Sequence, residues 1–128
     1  MILIDTSAWV EFLRGTGSPV CDRVESLLDA DMATCHPVRM EVLAGARDEY
    51  HLERLRRLLA RAVMVPTEPA DYDEAAALFR RCRRQGETVR RLIDCLIAAV
   101  AIRADTPILH HDADYDALVR HTALRSAS

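Results

Sequence analysis

The sequence contains no lysine, and all 17 of its basic residues are arginine. This absence excludes any mechanism that needs a catalytic lysine. Response-regulator receiver domains and haloacid-dehalogenase-type phosphatases pair an aspartate cluster with a lysine, so both classes lose a usual component here. Cationic contacts to phosphate must come from arginine, whose guanidinium group matches phosphate oxygens.

Long apolar runs and export signals are missing as well. The longest purely apolar run, Cys95 to Ile102, is far shorter than the roughly 20 residues that cross a bilayer. No basic region followed by an apolar stretch opens the chain. The four cysteines show no CxxC spacing, which favours reduced structural thiols over the alternative of two disulfides. We therefore expect a cytoplasmic protein without a membrane partner.

The 128 residues, half of them hydrophobic, are typical of one compact domain that spans residues 1–128. The net charge of −3 provides no globally basic surface, so a nucleic acid would need a local basic patch. The densest basic segment runs from Arg80 to Arg91. We expect Arg80, Arg84 and Arg91 to bind RNA; the alternative is an ordinary solvated helix face.

Hydrophobic periodicity predicts strands that alternate with helices, and hence a parallel sheet covered on both faces. The predicted strands are Met1–Ile4, Met32–Cys35, Ala62–Val65 and Pro107–Leu109. The predicted helices are a first one capped within residues 5–7, then Val20–Leu28, Pro37–Arg47, Glu49–Arg61, Glu68–Gln85, Leu92–Ile102 and Ala113–Arg120.

Four acidic residues stand out against this pattern. Asp5 and Asp112 each follow a predicted strand, and ligands of open α/β sheets bind beyond the carboxyl ends of the strands. Glu41 has no cation at its helical neighbour positions, and Asp94 is the only ionisable group in an apolar helix. Because burying an isolated carboxylate is expensive, bound cations would satisfy all these acids together.

The chemistry of these acids indicates a hard metal ion. An oxygen-only cluster favours Mg²⁺ or Mn²⁺ over zinc, and such ions suit phosphodiester chemistry. Simpler explanations stay open for each acid. Asp5 and Asp112 could only cap helices, and Asp94 could pair with an arginine one turn back. Asp114 and Asp116 could be first-turn acids favoured by the helix dipole.

The chain carries four short motifs: ILIDTSAW at residues 2–9, RMEVLAG at 39–45, DCLIAA at 94–99 and LHHDADY at 109–115. In order and approximate spacing they resemble the motifs of PIN-domain proteins, and in particular of the VapC-type toxins of bacterial toxin–antitoxin pairs. The resemblance runs essentially from end to end. One departure is Tyr115, where many relatives have phenylalanine, which keeps the ring but adds a hydroxyl group.

The resemblance implies a three-layer α/β/α fold with a short-stranded, mainly parallel sheet. It also implies an endonuclease that cleaves RNA with Mg²⁺ or Mn²⁺, forms a homodimer and is inhibited by a cognate VapB-type antitoxin. Transfer RNA is the favoured substrate, with messenger and ribosomal RNA open. The implied catalytic residues are Asp5, Glu41, Asp94 and Asp112; the implied metal ligands are Asp5, Asp94 and Asp112, with Glu41 and Asp114 as further candidates, and Ser7 is a supporting hydroxyl.

Three questions stay open at this point. The crowding of Asp112, Asp114 and Asp116 leaves the fourth ligand undecided, and the sequence does not fix whether one or two metal ions bind. A catalytically silent RNA-binding PIN module that acts by occupancy would share every fold signal and is the alternative function. A purely structural partner protein, whose acids serve only as helix caps, is a further alternative.

Overall fold

A four-stranded, all-parallel sheet forms the centre of the computed structural model, which describes residues 1–127. Its strands are β1 (Ile2–Ile4), β2 (Met32–Cys35), β3 (Val63–Val65) and β4 (Ile108–Leu109). Their order across the sheet is β3-β2-β1-β4. The chain builds outward from β1 on one side and then adds β4 on the other. The carboxyl ends of β1 and β4 therefore form the switch point at which ligands bind in open α/β sheets.

Seven helices lie along residues 1–127. They are α1 (Thr6–Leu13), α2 (Pro19–Leu27), α3 (His36–Ala44), α4 (Glu49–Leu59), α5 (Pro69–Arg84), α6 (Leu92–Arg103) and α7 (Ala113–His121). Helix α1 packs against α2 and α3, while α5, α6 and α7 pack against one another. Each predicted strand and helix is present, and the predicted α/β/α fold class is confirmed.

Helix α3 ends earlier than the sequence pattern predicts, at Ala44 instead of Arg47. The side chain of Asp48 accepts a hydrogen bond of 2.7 Å from the backbone N–H of His51 and so caps α4. The backbone N–H of Arg47 donates to His51 Nδ1 at 3.1 Å. These local bonds stabilise non-helical backbone between the two helices, and hydrophobic periodicity does not reveal them.

Helix α6 is buried along most of its length, as its apolar sequence predicts. Cys95 and the run from Ile97 to Ala101 are buried, and so is the carboxyl group of Asp94. All four cysteines are buried and free. Among residues 1–127, no helix combines the length and the apolar character needed to cross a membrane.

Candidate functional site

A cavity of about 220 Å³ opens at the carboxyl ends of β1 and β4. The four acids singled out in the sequence all line it, although they come from two strand ends and two helices. The structure therefore brings them to the switch point of the sheet. The lining residues are Asp5, Thr6, Ser7, Val10, Glu11, Glu41, Arg91, Asp94, His111 and Asp112.

Asp5 is both a helix cap and a wall of the cavity. Its Oδ2 accepts hydrogen bonds from the backbone N–H and the hydroxyl of Ser7, at 2.9 and 2.6 Å. Its Oδ1 accepts a bond of 2.6 Å from the hydroxyl of Tyr115. Burial raises the pKa of Asp5 above its usual value, and the hydrogen bonds from Ser7 and Tyr115 partly oppose that shift. Asp5 thus caps α1 and also lines the cavity.

Asp94, Asp112 and Asp114 form the tightest acidic cluster, with one carboxylate oxygen of each within 4.8 Å of the others. Asp112 caps α7, and its side chain accepts a bond of 2.9 Å from the backbone N–H of Asp114. The side chain of Asp116 is 58% exposed and lies 3.6 Å from His110. Of the acids in the last motif, Asp112 and Asp114 therefore join Asp94, and Asp116 does not.

Burial and neighbouring acids disfavour full ionisation of the cluster. Burial, together with the hydrogen bond to Asp114 and the charge of Asp5, raises the pKa of Asp94 to about 8. Burial also acts on Asp114, but hydrogen bonds from the backbone N–H of Arg90, from Asp94 and from the Arg90 guanidinium hold its pKa below the usual value. Asp94 therefore keeps the proton that the two carboxyl groups share near neutral pH.

A divalent cation fits this donor set. When both groups are ionised, the buried Oδ2 atoms of Asp94 and Asp114 have no hydrogen-bond partner among residues 1–127. Unpaired buried carboxylate oxygens are costly, and a bound cation removes that cost. The cluster offers only carboxylate oxygens, which are the ligands that Mg²⁺ and Mn²⁺ prefer.

The partners of Glu41 come from outside its own helix, where the sequence shows no cation at the helical neighbour positions. The hydroxyl of Thr6 donates to Glu41 Oε1 at 2.8 Å, and the guanidinium of Arg91 forms an ion pair with Glu41 Oε2. Arg91 lies far from Glu41 along the chain, so the local neighbour positions could not reveal it. Glu41 lies at the cavity beside the cluster and binds the guanidinium of Arg91 there.

Arg90 also binds the acids of the site, which the sequence analysis missed. Its guanidinium lies 2.9 Å from Asp112 Oδ1 and 3.2 Å from Asp114 Oδ1. The alternative that Asp94 pairs with an arginine one turn back is not what the structure has, because Arg90 and Arg91 bond other acids. The Arg90 side chain is 69% exposed, so these ion pairs stabilise little and can exchange. The sequence feature that could have indicated these contacts is the pair of adjacent arginines shortly before Asp94.

The remaining basic residues of the predicted RNA surface lie away from the cavity. Arg80 and Arg84 are exposed near the end of α5, and neither forms an ion pair among residues 1–127. Two residues that the sequence analysis did not select do line the cavity: Glu11 and His111, with Oε1 and Nε2 3.7 Å apart.

Comparisons with known proteins agree on one family. Residues 2–121 match the model of the PIN domain family. The chain is 48% identical to a VapC ribonuclease of Mycobacterium bovis and to ribonuclease VapC11 of Mycobacterium tuberculosis, over 100% of this chain and 98% of each relative. Its fold is similar to VapBC2 from Rickettsia felis bound to a promoter DNA fragment, with a TM-score of 0.77, 18% identity, and coverage of 98% and 96% of the two chains. It is also similar to VapC20 of Mycobacterium tuberculosis, a sarcin–ricin loop cleaving toxin, with a TM-score of 0.71, 16% identity, and coverage of 98% and 99%.

Proposed function

Because this chain belongs to the PIN-domain family, within its VapC ribonucleases, we propose that it is a metal-dependent RNA endonuclease and the toxin of a type II toxin–antitoxin pair. The observation that carries the proposal is the cluster of buried Asp94 and Asp114 with partly buried Asp112 at the switch point of the sheet. This cluster has the charge and the donor atoms for a divalent cation and opens to a cavity. A structural protein would need neither feature.

Different residues of the chain would bind the metal ion and position its ligands in such a reaction. Asp5, Asp94, Asp112 and Asp114 would hold the metal ion, with Glu41 at the rim of the cavity. Mg²⁺ or Mn²⁺ supplies positive charge to phosphate oxygens and makes a nearby water easier to deprotonate. Ser7 fixes Asp5 and also accepts a bond of 2.9 Å from the backbone N–H of His111, which joins the ends of β1 and β4.

The proposed partners follow from the same family. The substrate is RNA, with transfer RNA preferred, which places the activity in the cytoplasm. A cognate VapB-type antitoxin silences the enzyme, and the active form is a homodimer. Solved relatives include complexes of VapC-type toxins with their antitoxins, and one relative cleaves the sarcin–ricin loop. Ribosomal RNA is therefore the first substrate to test beside transfer RNA.

Cleavage should require added metal and leave 5′-phosphate and 3′-hydroxyl ends, because the proposed nucleophile is water. The purified chain, free of antitoxin, is incubated with transfer, ribosomal and total RNA in Mg²⁺, in Mn²⁺ or in chelator, and the new ends are sequenced. A 2′,3′-cyclic phosphate would show that the ribose hydroxyl attacks instead. The metal should also raise the melting temperature, since an ion at about 100 times its Kd stabilises the fold by about 2.7 kcal/mol. A purely structural protein would show no such shift.

Replacing Arg80 and Arg84 together by alanine should weaken RNA binding and make it less sensitive to salt. Each phosphate contact contributes about one unit to the slope of log K against log salt, so the slope should fall by about 2. RNA binding is measured with Asp94→Asn protein between about 50 and 200 mM salt, because this variant should separate binding from cleavage. Arg57→Ala, an exposed arginine on α4, is the matched control. Unchanged affinity and slope would remove Arg80 and Arg84 from the proposed RNA surface.

A further inference from the structure

Tyr115, the departure from the family pattern, contacts two acids of the cavity at once. Its side chain is fully buried, and its ring packs against His110 with the ring centroids 5.2 Å apart. The hydroxyl oxygen lies 2.6 Å from Asp5 Oδ1 and 3.4 Å from Asp94 Oδ1. One phenol group from α7 therefore links the residue that follows β1 to the acid of α6.

The hydroxyl has a single proton, and the shorter distance assigns it to Asp5. Asp5 Oδ2 is already bound by the two donors of Ser7. With Tyr115 on Oδ1, these neutral donors hold the carboxylate in one orientation, and no arginine or histidine pairs with Asp5 among residues 1–127. No cation is therefore paired with Asp5 among residues 1–127, whereas the guanidinium of Arg90 forms ion pairs with Asp112 and Asp114.

We propose that Tyr115 is a positioning residue that orients Asp5 for divalent-metal binding beside Asp94, whose Oδ1 lies 3.4 Å from the same hydroxyl oxygen. This inference rests on the proposed function. Groups that hydrogen-bond to ligating carboxylates fix their orientation, and removing one typically lowers metal affinity about 10- to 100-fold. A neutral hydroxyl can do this without competing with the metal for the site. An arginine, which is positively charged, would compete. The first turn of α7 then both supplies Asp114 and orients Asp5 through Tyr115.

Tyr115→Phe is the direct test, because it removes one oxygen and keeps the ring. Mn²⁺ binding to the full chain is measured by titration calorimetry, with Tyr72→Phe, an exposed tyrosine, as the matched control. We expect the Kd for Mn²⁺ to rise about 10-fold in Tyr115→Phe and to stay unchanged in Tyr72→Phe. RNA cleavage by Tyr115→Phe should fall at limiting Mn²⁺ and recover at high Mn²⁺, with the KM for RNA unchanged.

A second measurement follows the environment of the Tyr115 hydroxyl in the wild-type chain. Metal binding to Asp5 should perturb its hydrogen bond with Tyr115, so adding Mg²⁺ should produce a tyrosine difference signal in the near-ultraviolet. The signal should persist in Tyr72→Phe and vanish in Tyr115→Phe. An unchanged Kd in Tyr115→Phe would overturn the inference alone, and so would a missing signal in wild-type protein that binds metal, even if Tyr115→Phe failed to fold. If the wild-type chain bound no Mn²⁺, the proposed function would fall with it.

Discussion

Replacing Asp94 with asparagine should abolish RNA cleavage and at the same time make the metal-free protein more stable. Asp94 belongs to the acidic cluster, and the charge that a metal ion supplies is worth several kcal/mol in such a reaction. Losing about 4 kcal/mol of that stabilisation slows cleavage about 1,000-fold. The metal-free fold should gain stability, because burial raises the pKa of Asp94 to about 8 and folding at neutral pH must therefore protonate this carboxyl group. An amide removes that cost.

The opposite signs of these two effects make the experiment decisive. Cleavage of RNA in Mn²⁺ and the melting temperature in chelator are measured on the same preparation. Asp116→Asn is the matched control, since its side chain is exposed and outside the cluster. Full cleavage by Asp94→Asn would contradict the proposed site. Growth inhibition that persisted in cells expressing Asp94→Asn, with no RNA cut, would favour the silent RNA-binding module.

The strand ends and the lone acid in an apolar helix were the features of this site that the sequence could reveal. Asp5 and Asp112 follow strands, and topology alone places the ends of β1 and β4 together. Asp94 stood out because burying a charge is expensive. In each case one residue and its local pattern were enough to make the prediction.

The contacts between distant segments could not be predicted in the same way. The ion pair between Glu41 and Arg91 spans 50 residues, and the bonds of Arg90 to Asp112 and Asp114 span 22 and 24 residues. Neither hydrophobic periodicity nor the rules for helical neighbours predict contacts between residues so far apart in the sequence. The choice of Asp114 over Asp116 depended on the direction in which α7 leaves β4, which a one-dimensional pattern leaves undetermined.

Stability should also depend on an ion pair at the other end of the helix that carries Asp94. Arg103, near the end of α6, bonds both carboxylate oxygens of Asp71 at 2.9 and 3.0 Å, and the backbone N–H of Glu68 donates to Asp71 Oδ2 at 2.8 Å. The carboxylate of Asp71 is buried, whereas a third of the Arg103 side chain is exposed. The pair fastens the start of α5 to the end of α6.

Arg103→Ala should destabilise the fold by about 2–4 kcal/mol at pH 7, slightly less than the loss of one partner of a fully buried pair, because solvent screens Arg103. Burial opposes ionisation of Asp71, but the bonds from Arg103 and Glu68 hold its pKa below the usual value. A lowered pKa stabilises the fold above the pKa of the unfolded chain, and that contribution disappears as the pH falls through the folded value. The difference between wild type and Arg103→Ala in urea unfolding should therefore be largest near pH 7 and shrink below about pH 4.

Arg57→Ala is the control for this loss as well, because its ion pair with Glu53 is exposed and contributes at most about 1 kcal/mol. An equal loss of stability at pH 3 and pH 7 would show that packing of the arginine stem, rather than the ion pair, sets the cost. At 25 °C Arg103→Ala should still cleave RNA at the wild-type rate wherever it remains folded, since Arg103 does not line the cavity. Asp94→Asn should gain stability and lose cleavage, whereas Arg103→Ala should lose stability and keep cleavage. That contrast is expected only if the carboxyl group of Asp94 serves the reaction and the buried charge of Asp71 serves the fold.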